Sequence, residues 1–173
     1  MHQLHLLRHA KSSREAGDDD QERPLTRRGR EAARLVGGQL PAAIGRVDLV
    51  LCSPALRTRE TADLVLAGFD PRPDVLIEDG LYLASRAGLL RRLRRLEEGF
   101  GAVMLIGHNP GLYEVAVALA APGSPRYRAL ASGKFPTTAR ASFHIACGWA
   151  AVEGSEHALV DYVTPKSLGE DAG

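Results

Sequence analysis

The chain has 173 residues, 45% of them apolar, which is enough for one domain with a sizeable core. Its 22 basic and 21 acidic residues leave a formal net charge of +1, so there is no bulk field to hold nucleic acid or an anionic membrane, and any anion site must be local. The two cysteines, Cys52 and Cys147, are too few for a disulfide framework; each lies in an apolar strand-like segment and reads as a buried thiol of a reducing compartment. Arg8 cuts the amino-terminal apolar run short of a signal-peptide core, and no run approaches the roughly 20 apolar residues of a spanning helix. A cytoplasmic protein without membrane attachment is expected.

The first predicted strand covers about residues 3–7, apolar apart from His5, and runs into Arg8-His9. Lys11 to Arg23, with Asp18 to Asp20, reads as a solvated loop. Pro24-Leu25-Thr26 announces a helix with Thr26 as N-cap. Ala32, Ala33, Leu35, Val36 and Leu40 mark its apolar face and Pro41 its stop. A second strand, Val47 to Leu51, leads into Cys52-Ser53-Pro54, where serine and proline resemble the N-cap and first residue of a helix reaching about Ala67. Arg57 and Thr58 then fall in its first turns.

Phe69 to Pro73 is a breaker, Val75 to Ile77 a short strand, and Leu89, Leu90, Leu93 and Leu96 the apolar stripe of another helix. Its basic run, Arg91 to Arg95, reads as a solvated face, with docking of an acidic partner as the alternative. Ala102 to Ile106 is the next strand, Asn109-Pro110-Gly111 a turn, and Leu112 to Ala121 a helix. Pro122 to Pro136 reads as irregular, Ala141 to Cys147 and Ala158 to Val163 as late strands suited to a hairpin, and 169–173 as a flexible tail after a single domain, 1–168. Alternating strands and helices predict an α/β fold, a three-layer α/β/α sandwich with a mostly parallel central sheet.

Three of these strands end in polar residues suited to phosphate: Arg8-His9, Cys52-Ser53-Pro54 and Gly107-His108. In open α/β sheets the ligand crevice lies outside the carboxyl ends of parallel strands, so such residues converge despite their separation in sequence. His9, Arg8, Arg57 and His108 would then face one pocket. A neutral imidazole attacks phosphorus when its other nitrogen donates to a carbonyl, and two guanidinium groups both hold His9 neutral and match phosphoryl oxygens.

Rival motifs fail on spacing. Four residues separate Cys52 from Arg57, one fewer than a cysteine-phosphatase loop needs, and Pro54 removes a backbone donor. His2 and His5 point to opposite faces of a strand, so with His9 they make no metal site. There is no Gly-x-x-x-x-Gly-Lys-Ser/Thr loop and no Gly-x-Ser-x-Gly elbow. His144 and His157, in the late strands, read as structural.

The segments Leu6 to Ser13, Arg23-Pro24-Leu25-Thr26, Cys52 to Thr58, Gly107-His108-Asn109-Pro110-Gly111 and Lys134-Phe135-Pro136-Thr137 resemble the histidine phosphatase superfamily. Within it they are most similar to the small SixA-like phosphohistidine phosphatases, as is Thr164-Pro165-Lys166-Ser167-Leu168. The resemblance implies a phosphoglycerate mutase-like fold, a phosphohistidine enzyme intermediate on His9, a phosphate pocket of Arg8, Arg57 and His108, no metal and no cofactor. Where the superfamily usually has Arg-His-Gly, this chain has Arg8-His9-Ala10, which disfavours a left-handed backbone there. By position before Tyr82, the superfamily's general acid maps to Asp79 or its neighbour Glu78, with a solvated strand-end carboxylate as the alternative. Lys134 and Phe135 map to the rim of the substrate cleft or to a loop packed on the core, and Ser53 to a phosphate contact or an N-cap.

A weak acid suits a phosphoramidate, whose imidazole leaves easily, more than an ester whose alkoxide must be protonated. The short chain leaves little sequence for a lid, so an open cleft is expected to admit a phosphorylated residue of another protein. The expected activity is removal of phosphate from phosphohistidine on a protein. A small-molecule phosphomonoesterase or mutase of the same superfamily and a non-catalytic phosphoprotein-binding module are the alternatives.

Overall fold

Period-two alternation of apolar side chains lets each central strand feed two cores. In the computed structural model, which describes residues 1–15 and 19–169, the strands are β1 (His2–Arg8), β2 (Leu49–Cys52), β3 (Asp74–Ile77), β4 (Ala102–Gly107), β5 (Arg140–Ile145) and β6 (Ala158–Val163). They form one sheet in the order β3-β2-β4-β1-β5-β6. The first four run parallel and β5 and β6 are antiparallel. Leu4, Leu6, Leu49, Leu51, Val103 and Leu105 enter one core. Leu7, Val50, Cys52, Met104 and Ile106 enter the other.

Helices α1 (Arg27–Ile44) and α2 (Leu56–Val65) cover the second of these faces through Ala33, Val36, Leu40, Ala62 and Val65. Helices α3 (Arg86–Leu93), α4 (Gly111–Leu119) and α5 (Tyr127–Ala131) cover the first through Leu89, Leu93, Leu112, Val115, Leu119 and Leu130. This is the expected three-layer sandwich. Among the described residues no helix is long and apolar enough to cross a membrane.

Local differences from the sequence reading have physical causes. Pro41 does not stop α1, which continues to Ile44; the helix ends where Gly45 takes a positive φ of 70° and returns its N–H to the Pro41 carbonyl at 3.0 Å. Ser53 does not cap α2, which begins at Leu56 after Ala55. The 122–136 segment is not wholly irregular, because Tyr127 to Ala131 form α5 and bury Leu130. Cys147 lies beyond β5, half-buried, whereas Cys52 is fully buried in β2. His157 precedes β6 and is buried, while His144 in β5 is exposed. Asp18 of the expected loop and residues 170–173 of the expected tail at 169–173 lie outside the described residues.

Candidate active site

The carboxyl ends of β1, β2 and β4 are neighbours in the sheet, so the residues that follow them meet at one edge. A cleft of about 1030 Å³ lies there, and Arg8, His9, Arg57 and His108 all line it. The His9 and His108 rings stand 5.3 Å apart between centroids and tilted by 56°. Backbone ties fix His9: its N–H donates to the Gly107 carbonyl at 3.2 Å, and its carbonyl accepts from Thr138 at 3.1 Å.

The tautomer of His9 follows from its partner. Nδ1 lies 2.7 Å from the Ala10 carbonyl, which can only accept, so Nδ1 carries the proton and Nε2 keeps its lone pair. Thr61 of α2 holds that carbonyl's residue in place, accepting the Ala10 N–H at 2.9 Å and donating to the Arg57 carbonyl at 2.6 Å. Burial pushes the His9 pKa down to about 3 against the pull of the Ala10 carbonyl, with His108, Arg8 and Arg57 adding to the fall. Desolvation therefore outweighs the arginines in keeping this imidazole neutral.

His108 is oriented from both ends. Arg57 can only donate, so its contact with Nδ1 at 3.4 Å makes Nδ1 the acceptor and leaves Nε2–H to donate to Ser53 Oγ at 2.7 Å. Burial, then Arg57, lowers its pKa to about 4. An entering phosphoryl dianion reverses the second effect and favours a proton on the Nδ1 side, where it can be donated to the anion. Ser53, buried beneath the site, holds this ring and also accepts the Ala55 N–H at 3.3 Å. It does not line the cleft.

Arg57, only 2% exposed, reaches across the cleft floor. Its Nη1 donates to the Asp20 carbonyl at 2.7 Å and its Nη2 to the Asp20 carboxylate at 3.2 Å. Asp20 also accepts from the Tyr82 hydroxyl. That bond first, and Arg57 after it, holds the Asp20 carboxyl below its ordinary pKa against desolvation. The Tyr82 ring in turn meets His108 edge-on at 5.6 Å. Arg8 donates through Nη1 to the Phe135 carbonyl at 3.1 Å, which also accepts from Asn109 Nδ2 at 2.9 Å. Among the described residues, the buried donors Arg8 Nε and Arg57 Nε and the buried acceptor Asn109 Oδ1, all on residues lining this cleft, have no hydrogen-bond partner. Two unsatisfied guanidinium donors on one cleft suit an anionic ligand.

The remaining sequence candidates lie elsewhere. Glu78 does not face the cleft; Arg92 Nε and Nη2 grip its carboxylate at 2.8 Å, and that pairing keeps its pKa low. Asp79 starts a short 3-10 turn and is likewise absent from the lining. Phe135 is buried between Tyr113 and Tyr162, with centroids 6.1 and 5.9 Å away, and contributes its carbonyl rather than its ring. Lys134 is exposed, and its carbonyl accepts the Tyr162 hydroxyl at 2.9 Å. Asp20 and Tyr82 are the residues that sequence reasoning passed over. In the sequence Tyr82 is only a landmark and Asp20 part of a polar loop, and no local pattern marks their meeting. Arg92 and Arg94 are not simply solvated, since Arg94 Nε donates to the Val152 carbonyl at 2.9 Å.

The buried histidines set an acid limit on stability. His5, His9 and His108 have folded pKa values of about 4, about 3 and about 4, each lowered first by burial. The unfolded chain binds protons near pH 6.5 that the folded chain refuses, so stability is complete above pH 6.5 and falls as pH drops toward 4. Each such histidine contributes a slope approaching about 1.4 kcal/mol per pH unit within that window. Urea midpoints measured from pH 7 to pH 4.5 are expected to fall steadily; a flat profile would contradict the burial of these rings as neutral groups.

Comparison with known proteins places these features in a wider group. The model of the histidine phosphatase superfamily (branch 1) matches residues 4–82. An uncharacterized protein of Mycobacterium tuberculosis is 36% identical over 163 residues, spanning 92% of this chain and 100% of its own length. Among solved structures, a protein of Agrobacterium tumefaciens described as a candidate phosphohistidine phosphatase SixA is 27% identical with a TM-score of 0.79, covering 95% of this chain and 98% of that one. Its counterpart from Nakamurella multipartitia is 26% identical with a TM-score of 0.82, covering 95% and 96%.

Proposed function

The chain belongs to the histidine phosphatase superfamily, with SixA-like relatives, and we propose that it is a phosphatase that removes phosphate from phosphohistidine on a protein by way of a phosphohistidine intermediate on His9. The Nε2 lone pair of His9 attacks phosphorus in line, an N–P bond forms, and the bond to the substrate nitrogen breaks. The substrate ring takes a proton from solvent on its other nitrogen, so the nitrogen that loses phosphorus keeps the bonding pair and the ring leaves as neutral imidazole. Arg8, Arg57 and His108 hold the equatorial oxygens, which carry the charge of the transition state. Nδ1–H keeps its bond to the Ala10 carbonyl, which steadies the positive charge of the phosphorylated ring. Water then attacks phosphorus, its proton passes to a base, and the N–P bond breaks to restore neutral His9 and release inorganic phosphate. Asp20, held ionised at the cleft, is placed to take that proton.

The observation that carries the substrate class is the state of the carboxyl groups. Asp20, held below its ordinary pKa, is the carboxylate on the lining among the described residues, and Glu78 is locked to Arg92. Neither is a protonated acid ready to serve an alkoxide, whereas imidazole, with a conjugate-acid pKa of roughly 6.5, leaves without strong assistance. The cleft, at about 1030 Å³, has room for a phosphorylated side chain.

The test offers the purified protein a phosphohistidine-bearing protein and a panel of alkyl phosphomonoesters. A kcat/KM for the phosphoprotein higher by about 10²-fold or more is expected, the usual worth of a general acid. Equal or faster turnover of the esters would contradict the proposal.

A further inference from the structure

Leucine in a left-handed conformation is rare, because its Cβ crowds the following carbonyl. Leu83 takes that conformation, with φ of 49°, directly after Tyr82 at the cleft. Its side chain is nevertheless 54% exposed, so burial in the core does not offset the backbone cost. The segment around it is held firmly. Ala84 N–H donates to the Leu81 carbonyl at 3.3 Å, and the Ala84 carbonyl lies against Gly111, where a Cβ would come within 2.0 Å. Gly111 thus seats the loop on the start of α4, and the packed surroundings impose the strained conformation.

The lining of the cleft is mixed in character. Lys11, Arg14 and Arg23 with Ser12 and Ser13 give the lining a cationic and polar part, whereas Leu83, next to Tyr82, gives it an apolar one. Ile77, also exposed, ends the edge strand β3 at the same end of the sheet. A small phosphorylated anion needs only the cationic groups and gains nothing from an exposed leucine. A phosphorylated protein brings its own apolar surface beside the phosphoryl group.

Resting on the phosphoprotein reading above, we propose that Leu83 is a specificity residue that docks an apolar side chain of the phosphoprotein next to its phosphohistidine. Strain and exposure are retained there because the leucine is covered only when that protein is bound. The occupant is therefore a phosphoprotein with an apolar patch beside its phosphorylated residue, and Leu83 has no part in hydrolysis of small phosphoramidates.

The test compares wild type, Leu83→Gly and Leu83→Asn on a phosphohistidine protein and on inorganic phosphoramidate. Both replacements tolerate the left-handed conformation, so the fold is retained and the thermal midpoint is expected to hold or rise. KM for the phosphoprotein is expected to rise about tenfold, the measure of one partly covered leucine side chain. Phosphoramidate kinetics should stay within about twofold of wild type. Val160→Asn, removing an exposed apolar side chain from the opposite edge strand β6, should change neither. Leu83 variants with unchanged phosphoprotein kinetics, or with equal losses on both substrates, would overturn the inference while leaving the phosphoprotein reading intact. A wild-type enzyme that hydrolyses phosphoramidate but not the phosphoprotein would overturn the reading itself and the docking role with it.

Discussion

His9→Ala is expected to reduce turnover on the order of 10⁴ to 10⁶-fold while the protein stays folded and still binds oxyanions. The size of the loss follows from what Nε2 supplies. It is the unprotonated nitrogen of a ring whose other nitrogen is committed to the Ala10 carbonyl at 2.7 Å. It also faces a second imidazole across 5.3 Å, with two guanidinium groups on the same cleft. No neighbour can replace it: His108 is committed to Ser53 and Arg57, and Cys52, a buried thiol whose pKa burial pushes up to about 12, is not on the lining. The fold should tolerate the change because the ring's hydrogen bond runs to a carbonyl that its own loop keeps in place. Removing one buried neutral histidine should also flatten the acid limb of stability, so a variant that is inactive yet less acid-sensitive separates lost chemistry from lost structure. Near-wild-type turnover in a folded His9→Ala protein would refute the assignment.

Arg57→Ala is the second large effect, with a loss on the order of 10³ to 10⁵-fold in kcat, the range found for arginines that neutralise a transferring phosphoryl group. This guanidinium is anchored in α2 and buried, and among the described residues its Nε has no partner. Its outer nitrogens meet the Asp20 carbonyl, the Asp20 carboxylate and His108 Nδ1. An entering phosphate competes with Asp20 for the same fork, so one side chain both binds the anion and releases a carboxylate to act on water. Arg57→Lys restores the charge but not the bidentate geometry, so it should recover only part of the rate. Steady-state kinetics with vanadate inhibition checks this: inhibition should weaken along with kcat, because vanadate mimics the transition state. Loss of kcat with unchanged vanadate affinity would mean that Arg57 acts elsewhere.

The parts of this molecule that were legible in its sequence are those governed by local periodicity. Val103 and Leu105 alternate with Met104 and Ile106, and that alone makes β4 a central strand shared by two cores. The convergence of Arg8, His9, Arg57 and His108 needed only the rule about strand ends, because each sits on or just beyond a parallel strand or in the first turn after one. What escaped the sequence was set by contacts across the chain. Pro41 remains helical beside the buried Leu40, and the helix runs on to its cap at Gly45, which a local helix-stop rule cannot see. Ser53 turns its hydroxyl to His108 rather than to a helix end, a choice made by a residue 55 positions away. Asp20 and Tyr82 meet over 62 positions, and neither belongs to a periodic segment. Glu78 carries the right chemical group for an acid, but Arg92 on α3 claims it.

The most direct test of the account is where the phosphoryl group rests during turnover. Rapid quenching of the wild-type enzyme with a phosphohistidine protein, followed by mapping of the acid-labile phosphopeptide, is expected to place it on Nε2 of His9. A phosphoryl group on His108, on Nδ1 of His9, or on no enzyme residue while product forms at full rate would contradict it.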